Sequence, residues 1–260
     1  MATLYTSAPR QAADRAGRRF YLIMALAMAG VIIGGFGFNL LMGRSSFAAP
    51  LQIHVHGVIF MAWTGFYCVQ AISIATGNVA LHRALGRLAY LFIPAMLVAG
   101  TMVMVHSAQA RGGPFFFAIN EFVISNVMML FAFGGLALWA LKVRRHQGWH
   151  RRLMLMAMTV LTGPGIGRLI PAPLLIPYAW PISNAIPLIF PLIAMVADWR
   201  RDGRVHPAYV WGLGIYVGVF AVSMLLAYSP MGYAFTEWLI AGTPGAERPM
   251  GPFLPPGFAM

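Results

Sequence analysis

Arg18-Arg19 is followed by Phe20–Gly43, FYLIMALAMAGVIIGGFGFNLLMG, a stretch without one charged side chain. A bilayer core about 30 Å thick needs about 20 apolar residues per helix. This stretch is long enough to cross it. It also exceeds the roughly 7–15-residue apolar run of a secretory leader. The small residues of Ser45-Ser46-Phe47-Ala48-Ala49 mark where a leader would be cut, but the length favours a retained span.

The same reading finds six more stretches: Leu51–Thr76, Leu85–His106, Pro114–Leu141, Trp149–Ile170, Trp180–Asp198 and Ala208–Ser229. The expected fold is an all-α polytopic membrane helical bundle with seven transmembrane helices. Residues 1–19 form a basic tail, residues 20–230 the membrane domain and residues 231–260 a second tail. Tyr233–Ile240 in that tail reads as a short interfacial helix anchored by Phe235 and Trp238. Composition agrees. Sixty per cent of residues are hydrophobic and 9% are charged, against about 45–50% and about 25% in soluble domains. So few charges cannot wet a soluble globule of 260 residues. The one cysteine, Cys68, excludes an intrachain disulfide and any Cys-cluster zinc or iron–sulfur site.

The net charge of +12 suggests nucleic acid on composition alone. Its distribution says otherwise. Arg10, Arg15, Arg18 and Arg19 precede span one, and Arg83 and Arg87 follow span two. Lys142, Arg144, Arg145, Arg151 and Arg152 follow span four, and Arg200, Arg201 and Arg204 follow span six. With seven spans all fourteen fall on one side, leaving Arg44, Arg111, Arg168 and Arg248 on the other. The excess of basic residues on the cytoplasmic side then places the N-terminus inside and the C-terminus outside. The expected location is a bacterial inner membrane, with the lipid bilayer as partner and no nucleic acid. The lone lysine, Lys142, lies in a loop, which removes a retinal Schiff base.

Two helix-packing signals stand out. Gly30/Gly34 and Gly214/Gly218 are small-xxx-small pairs that suit intramolecular packing. Gly163-Pro164-Gly165-Ile166-Gly167 is expected to unwind part of span five, and Pro187 and Pro191 to bend span six.

Ionisable groups at membrane depth are costly and are functional candidates by default. Toward the outer face lie His54, His56 and His106. His54 and His56 are two residues apart, so a regular helix points them about 200° apart. His56, Trp63 and Gln70 share one face, and His54, Met61 and Cys68 another. Glu121 is the one carboxylate well inside a span, and Arg168 lies near the outer end of span five. His54, His56, His106 and Glu121 are candidate metal ligands, with Asn39 and Asn184 able to join them. Glu121 and Arg168 are a candidate ion pair or proton site. Toward the inner face, Leu81-His82-Arg83 and Trp149-His150-Arg151-Arg152 repeat one pattern at two helix starts. His82 and His150 are candidate axial ligands of a haem, with the arginines meeting its propionates.

His54-x-His56-Gly57, Trp63, Gln70 and Leu81-His82-Arg83-x-Leu85-Gly86-Arg87 together resemble uncharacterised bacterial multi-span membrane proteins. The likeness covers spans two to five and implies a polytopic bundle. The His-Arg-x-Leu-Gly-Arg segment is also similar to membrane b-type cytochromes. A two-haem group of these takes ligands from four successive helices. That resemblance implies cofactor ligation by His56 with His106 and by His82 with His150. Span four departs from the pattern, carrying Glu121 in place of a histidine.

Three functions stay open. One is haem b or transition-metal binding for electron transfer or redox chemistry. The second is small-molecule or proton-coupled transport using Glu121 and Arg168. The third is a non-catalytic subunit or assembly factor that meets other membrane subunits through its apolar C-terminal tail. No phosphate loop, nucleophile elbow or zinc-protease motif is present, so whether the chain is an enzyme is left open.

Overall fold

A computed structural model describes residues 8–45 and 47–258, with side chains from residue 15 onward. The first seven residues of the basic tail, the Arg10 side chain and Ser46 lie outside the described residues. The regular structure of the described chain is all helical, with no strand.

The first helix, α1 (Ala8–Leu41), begins well before the apolar stretch, so the described part of the basic tail is a continuation of span one. Gly43, at φ +66°, turns the chain after it, and Pro50 leads into α2 (Leu51–Ala75). Gly77, at φ +81°, ends that helix in a conformation only glycine adopts freely. Asn78 then caps a short helix, α3 (Val79–Gly86), accepting from the Leu81 amide at 3.0 Å. The Leu81–Gly86 segment therefore forms its own helix instead of opening span three. That span is α4 (Ala89–Arg111), closed by Gly112 and Gly113, both at positive φ. The next crossing also starts later than expected. Pro114–Ala118 lies outside helix, a π-helical turn follows at Glu121–Ser125, and α5 covers Asn126–Lys142.

The central helix is α6 (Gln147–Leu169), which packs against α1, α5 and α9. It stays helical through the Gly163–Gly167 segment, against the expected unwinding. The glycines serve close approach instead. A Cβ on Gly165 would lie 2.8 Å from the Val31 carbonyl oxygen and 2.9 Å from Ile32 Cα. Pro164 is exposed, and the helix continues through it. The break comes in the next crossing, divided into α7 (Ala179–Ala185), a 3-10 turn at Ile186–Leu188 carrying Pro187, and α8 (Ile189–Asp202). The last crossing is α9 (Pro207–Ala227), and α10 (Pro230–Ile240) follows it.

Among the described residues, six helical segments are long and apolar enough to cross a membrane: Arg15–Leu41, Leu51–Ala75, Ala89–Arg111, Glu121–Lys142, Ala179–Asp202 and Pro207–Ala227. The protein is thus a bundle of apolar helices suited to multi-pass membrane insertion. The remaining candidate, α6, matches them in length but carries Arg151, Arg152, Thr159, Thr162 and the glycines. Its position explains the composition. Leu155 to Thr162 are buried without interruption, so neighbouring helices rather than lipid surround that stretch.

The Gly30/Gly34 and Gly214/Gly218 pairs are exposed, and a Cβ on any of them would meet open space. The expected intramolecular packing falls elsewhere, at Gly165 against α1 and at Gly212 against Met156.

Contacts define two ends of the bundle. At the basic end Arg144 reaches Tyr90, Arg151 stacks over Tyr21 and Arg152 meets Asp198. At the other end the C-terminal tail folds back on its own chain. The Ile119 amide donates to the Met250 carbonyl at 2.8 Å, and the Phe253 amide to the Phe115 carbonyl at 3.0 Å. Arg248 reaches the carbonyls of Gly112, Gly113, Pro114 and Phe117. This end is called the lid end below.

Candidate functional site

His82 and His150 come together at the basic end. Their ring centroids are 6.2 Å apart and their planes 76° apart. Local structure explains both positions. The Asn78 cap starts α3 and so holds His82 one turn into it. His150 sits in the first turn of α6, over the last turn of α5, where carbonyls lack helical partners. Its Nδ1 donates to the Ala140 carbonyl at 2.9 Å, since a carbonyl can only accept. That bond fixes the tautomer and leaves Nε2 as the lone-pair nitrogen.

His82 has the opposite problem. Its Nδ1 is buried and has no hydrogen-bond partner, and both polar atoms of the Gln70 side chain are equally bare. Burial, with the neighbouring His150 ring second, pushes the His82 imidazole below its ordinary range, and the Gln70 backbone opposes this. The α2 face predicted to carry His56, Trp63 and Gln70 is the face with unpartnered buried polar atoms on all three residues.

The lid-end candidates are not assembled into one site. His54 Nε2 bonds the Phe47 carbonyl at 3.1 Å. The His56 ring packs on Phe60 with centroids 4.2 Å apart. His106 Nδ1 lies 3.2 Å from Gln52 Nε2. Glu121 is 3% exposed. It accepts from the Tyr228 hydroxyl at 2.7 Å and, at a long 3.4 Å, from the Ala118 amide. No group of three or more His, Cys, Asp or Glu among the described residues could hold a metal ion. The expected metal set of His54, His56, His106 and Glu121 is not gathered into one cluster among the described residues. The physical cause is the regular start of α2, which splays His54 and His56, together with separate partners for His106 and Glu121. Among the described residues His56 and His106 also lack the ring contact that His82 and His150 make.

Glu121 and Arg168 likewise form no ion pair among the described residues. Tyr228 takes the carboxylate. The Arg168 guanidinium lies 4.0 Å over the Phe36 ring and donates to the Pro164 carbonyl at 2.8 Å. Asn184 is held by the Trp180 carbonyl and so does not join either group.

One charged cluster escaped the sequence reading. Arg152 Nε donates to Asp198 Oδ2 at 2.6 Å, with both side chains almost fully buried. Arg201 bonds the other oxygen of Asp198 at 2.6 Å and also reaches Asp202. The Tyr21 and Tyr209 hydroxyls share a hydrogen bond of 2.9 Å beneath Arg151 and Arg152. Counting arginines as topology markers hid this cluster. The available signal was Asp198 itself, an acid at the end of an apolar span beside a basic loop.

Compared with protein-family models, curated proteins and solved structures, the chain matches none.

Proposed function

We propose that the chain is a seven-span protein of a bacterial inner membrane, N-terminus cytoplasmic and C-terminus outside. In this reading His82 and His150 hold a haem iron or a transition-metal ion for electron transfer. The observation that carries it is the histidine pair. Two imidazoles from separate helices face each other at 6.2 Å between centroids. Two metal–nitrogen bonds of about 2.0–2.1 Å place ligand nitrogens about 4 Å apart, which such a separation accommodates. Metal-bound histidines usually donate their second nitrogen to a carbonyl or carboxylate, and His150 does so to Ala140. The bare Nδ1 of His82 supplies a second nitrogen that the fold leaves unused. A haem there would supply one-electron chemistry. The chain's own part is to hold two neutral imidazoles, with Arg83, Arg87 and Arg151 nearby in sequence for acidic substituents.

The membrane topology rests on fourteen basic residues on one side and on α6 crossing inside a ring of apolar helices. Labelling of Ser45→Cys from outside and of Arg204→Cys from inside, in a Cys68→Ala background, tests it.

The cofactor test is the absorbance spectrum and metal content of the purified chain. The expected result is a Soret band or stoichiometric metal, lost in both His82→Ala and His150→Ala. Folded protein that is colourless and metal-free overturns the reading. A transport reading retains one support, the buried Glu121 on a π-helical turn, a geometry frequent at functional sites. Unchanged uptake across candidate solutes in Glu121→Gln would end it.

A further inference from the structure

Three helices meet at one small residue of the basic end. Gly17 of α1 is buried. A Cβ on it would lie 3.6 Å from Arg201 Nη1 of α8 and 3.8 Å from Arg151 Nη1 of α6. Two guanidinium nitrogens thus converge on one point from separate helices. Like charges this close repel, and the acids answer only part of the repulsion. Asp198 and Asp202 take Arg152 and Arg201, while Arg151 joins no ion pair among the described residues.

Both guanidiniums are held in place by the chain itself. Arg201 donates from Nε to Asp202 and from Nη2 to Asp198 and Asp202, which leaves Nη1 off both acids. Arg151 lies with its Cζ 5.0 Å from the centre of the Tyr21 ring, and the Tyr21 hydroxyl is bonded to Tyr209. The Arg151 Nε is buried, so its Nη edge is the part a ligand can reach. Access exists, since the Arg201 side chain is 25% exposed and Arg151 is partly exposed. Gly17 stands three residues before Phe20, about 5 Å short of the uncharged stretch along a helix. In the proposed membrane crossing this is the level of lipid headgroups. That depth rests on the proposed orientation, whereas the convergence of the guanidiniums does not.

We infer that Arg151 and Arg201 bind one phosphate group beside Gly17, carried by an anionic lipid headgroup or free in solution. Guanidinium donors match phosphate oxygens in geometry and charge. Bonds of about 2.7–2.9 Å from the two Nη1 atoms can meet on one tetrahedral anion. The phosphate supplies the negative charge that the acids leave short. Gly17 lets it approach, because no side chain of that residue stands between the two cations. The site turns Arg151 toward α1 and leaves Arg83 and Arg87 beside the histidine pair, so either assignment can fail alone.

The test is native mass spectrometry of the full chain in neutral detergent, titrated with phosphatidylglycerol, phosphatidylcholine or inorganic phosphate. Retention of phosphatidylglycerol in preference to phosphatidylcholine supports the site with a lipid source. Binding of inorganic phosphate without phosphatidylglycerol supports it with a free one. Arg151→Gln is expected to weaken binding by roughly tenfold, the scale of one lost charge-assisted hydrogen bond. Gly17→Asp sets a carboxylate of the chain between the guanidiniums and is expected to weaken binding at least as much. Arg145→Gln removes an equal charge from an exposed position at the same end and is expected to change binding little. Circular dichroism checks that each variant is folded, and if Arg151→Gln does not fold, Gly17→Asp decides. Losses in the folded variants no greater than that in Arg145→Gln overturn the site. Equal retention of the two lipids without phosphate binding, or retention of none of the three ligands, overturns it as well.

Discussion

The two ends of the bundle treat buried charge in opposite ways. At the basic end Arg152 is enclosed and meets Asp198 at 2.6 Å, with Arg201 closing the other carboxylate oxygen. At the lid end Arg168 rests on an aromatic face and one carbonyl, and Glu121 on a tyrosine hydroxyl, although the two charges oppose each other in sign. Both ends contain an acid and a base, yet only one end pairs them. The difference teaches that matching depth does not make an ion pair. The basic-end pair joins α6 to α8 directly, whereas Glu121 and Arg168 face different neighbours. Charge at the basic end is therefore part of the scaffold. At the lid end charge is held by neutral partners instead: a tyrosine hydroxyl for Glu121, backbone carbonyls for Arg248, and an aromatic ring and one carbonyl for Arg168.

The sharpest way to break this contrast is to remove one partner at each end. Asp198→Asn leaves the buried Arg152 guanidinium with only the more distant Asp202 carboxylate, at 3.9 Å, and removing the close partner of a buried pair costs about 3–5 kcal/mol. Replacing both partners together, as Arg152→Met with Asp198→Leu, is expected to recover most of that loss, because apolar groups of similar volume substitute well for a buried pair. Arg168→Gln strands no acid and is expected to change thermal stability little in lipid-free detergent. Melting curves of the four proteins check all three statements. A loss in Arg168→Gln as large as that in Asp198→Asn would erase the distinction.

A smaller effect is expected at the lid. Arg248 donates from Nη1 and Nη2 to the carbonyls of Gly112, Gly113, Pro114 and Phe117, at 2.8–3.3 Å. Burial holds this guanidinium below its ordinary range, yet it stays a cation at any ordinary pH. Arg248→Ala strips those carbonyls of a common donor, at a cost of about 1–3 kcal/mol. The loss is expected to be local: residues 248–258 become sensitive to protease while the helices keep their melting temperature. A global drop in melting temperature instead would make the lid part of the core.

The helical bundle was legible because apolar length is a local property. Phe20–Gly43 and five other stretches show it without reference to any neighbour. What was not legible depends on neighbours. Gly163–Gly167 reads as a break, but the structure uses Gly165 to bring α6 against Val31 and Ile32, a contact between segments far apart in the chain. The Asn78 cap that detaches α3 from α4 is a local signal, and it was there to be read. The histidine pair was legible in part, since His82 and His150 begin similar segments after helices of similar length. The lid-end ligand set was not, because depth along each helix says nothing of azimuth. His54 shows it: its ring reaches back to Phe47, away from the bundle.

The smallest effect belongs to the basic end and turns on acid. His206 precedes α9, and its Nδ1 accepts from the Ala208 amide at 3.1 Å, so the folded state needs a lone pair there. Burial and then Arg152 push this imidazole below its ordinary range, with Arg151 and Arg204 adding to the effect and Asp198 opposing it. A depressed value means that the unfolded chain takes up the proton first. Stability is then complete above about pH 6.5, the ordinary imidazole value, and declines as the pH falls through that point toward the folded value. The lost cap is worth about 1 kcal/mol. His206→Asn keeps an acceptor that caps a helix and carries no proton in this range. Its melting temperature is expected to fall less than that of the wild type between pH 8 and pH 5. His82, pushed down by burial and by His150, stays in both proteins, so the difference between the two curves isolates His206. Parallel curves would mean that the imidazole's lone pair does not hold the start of α9.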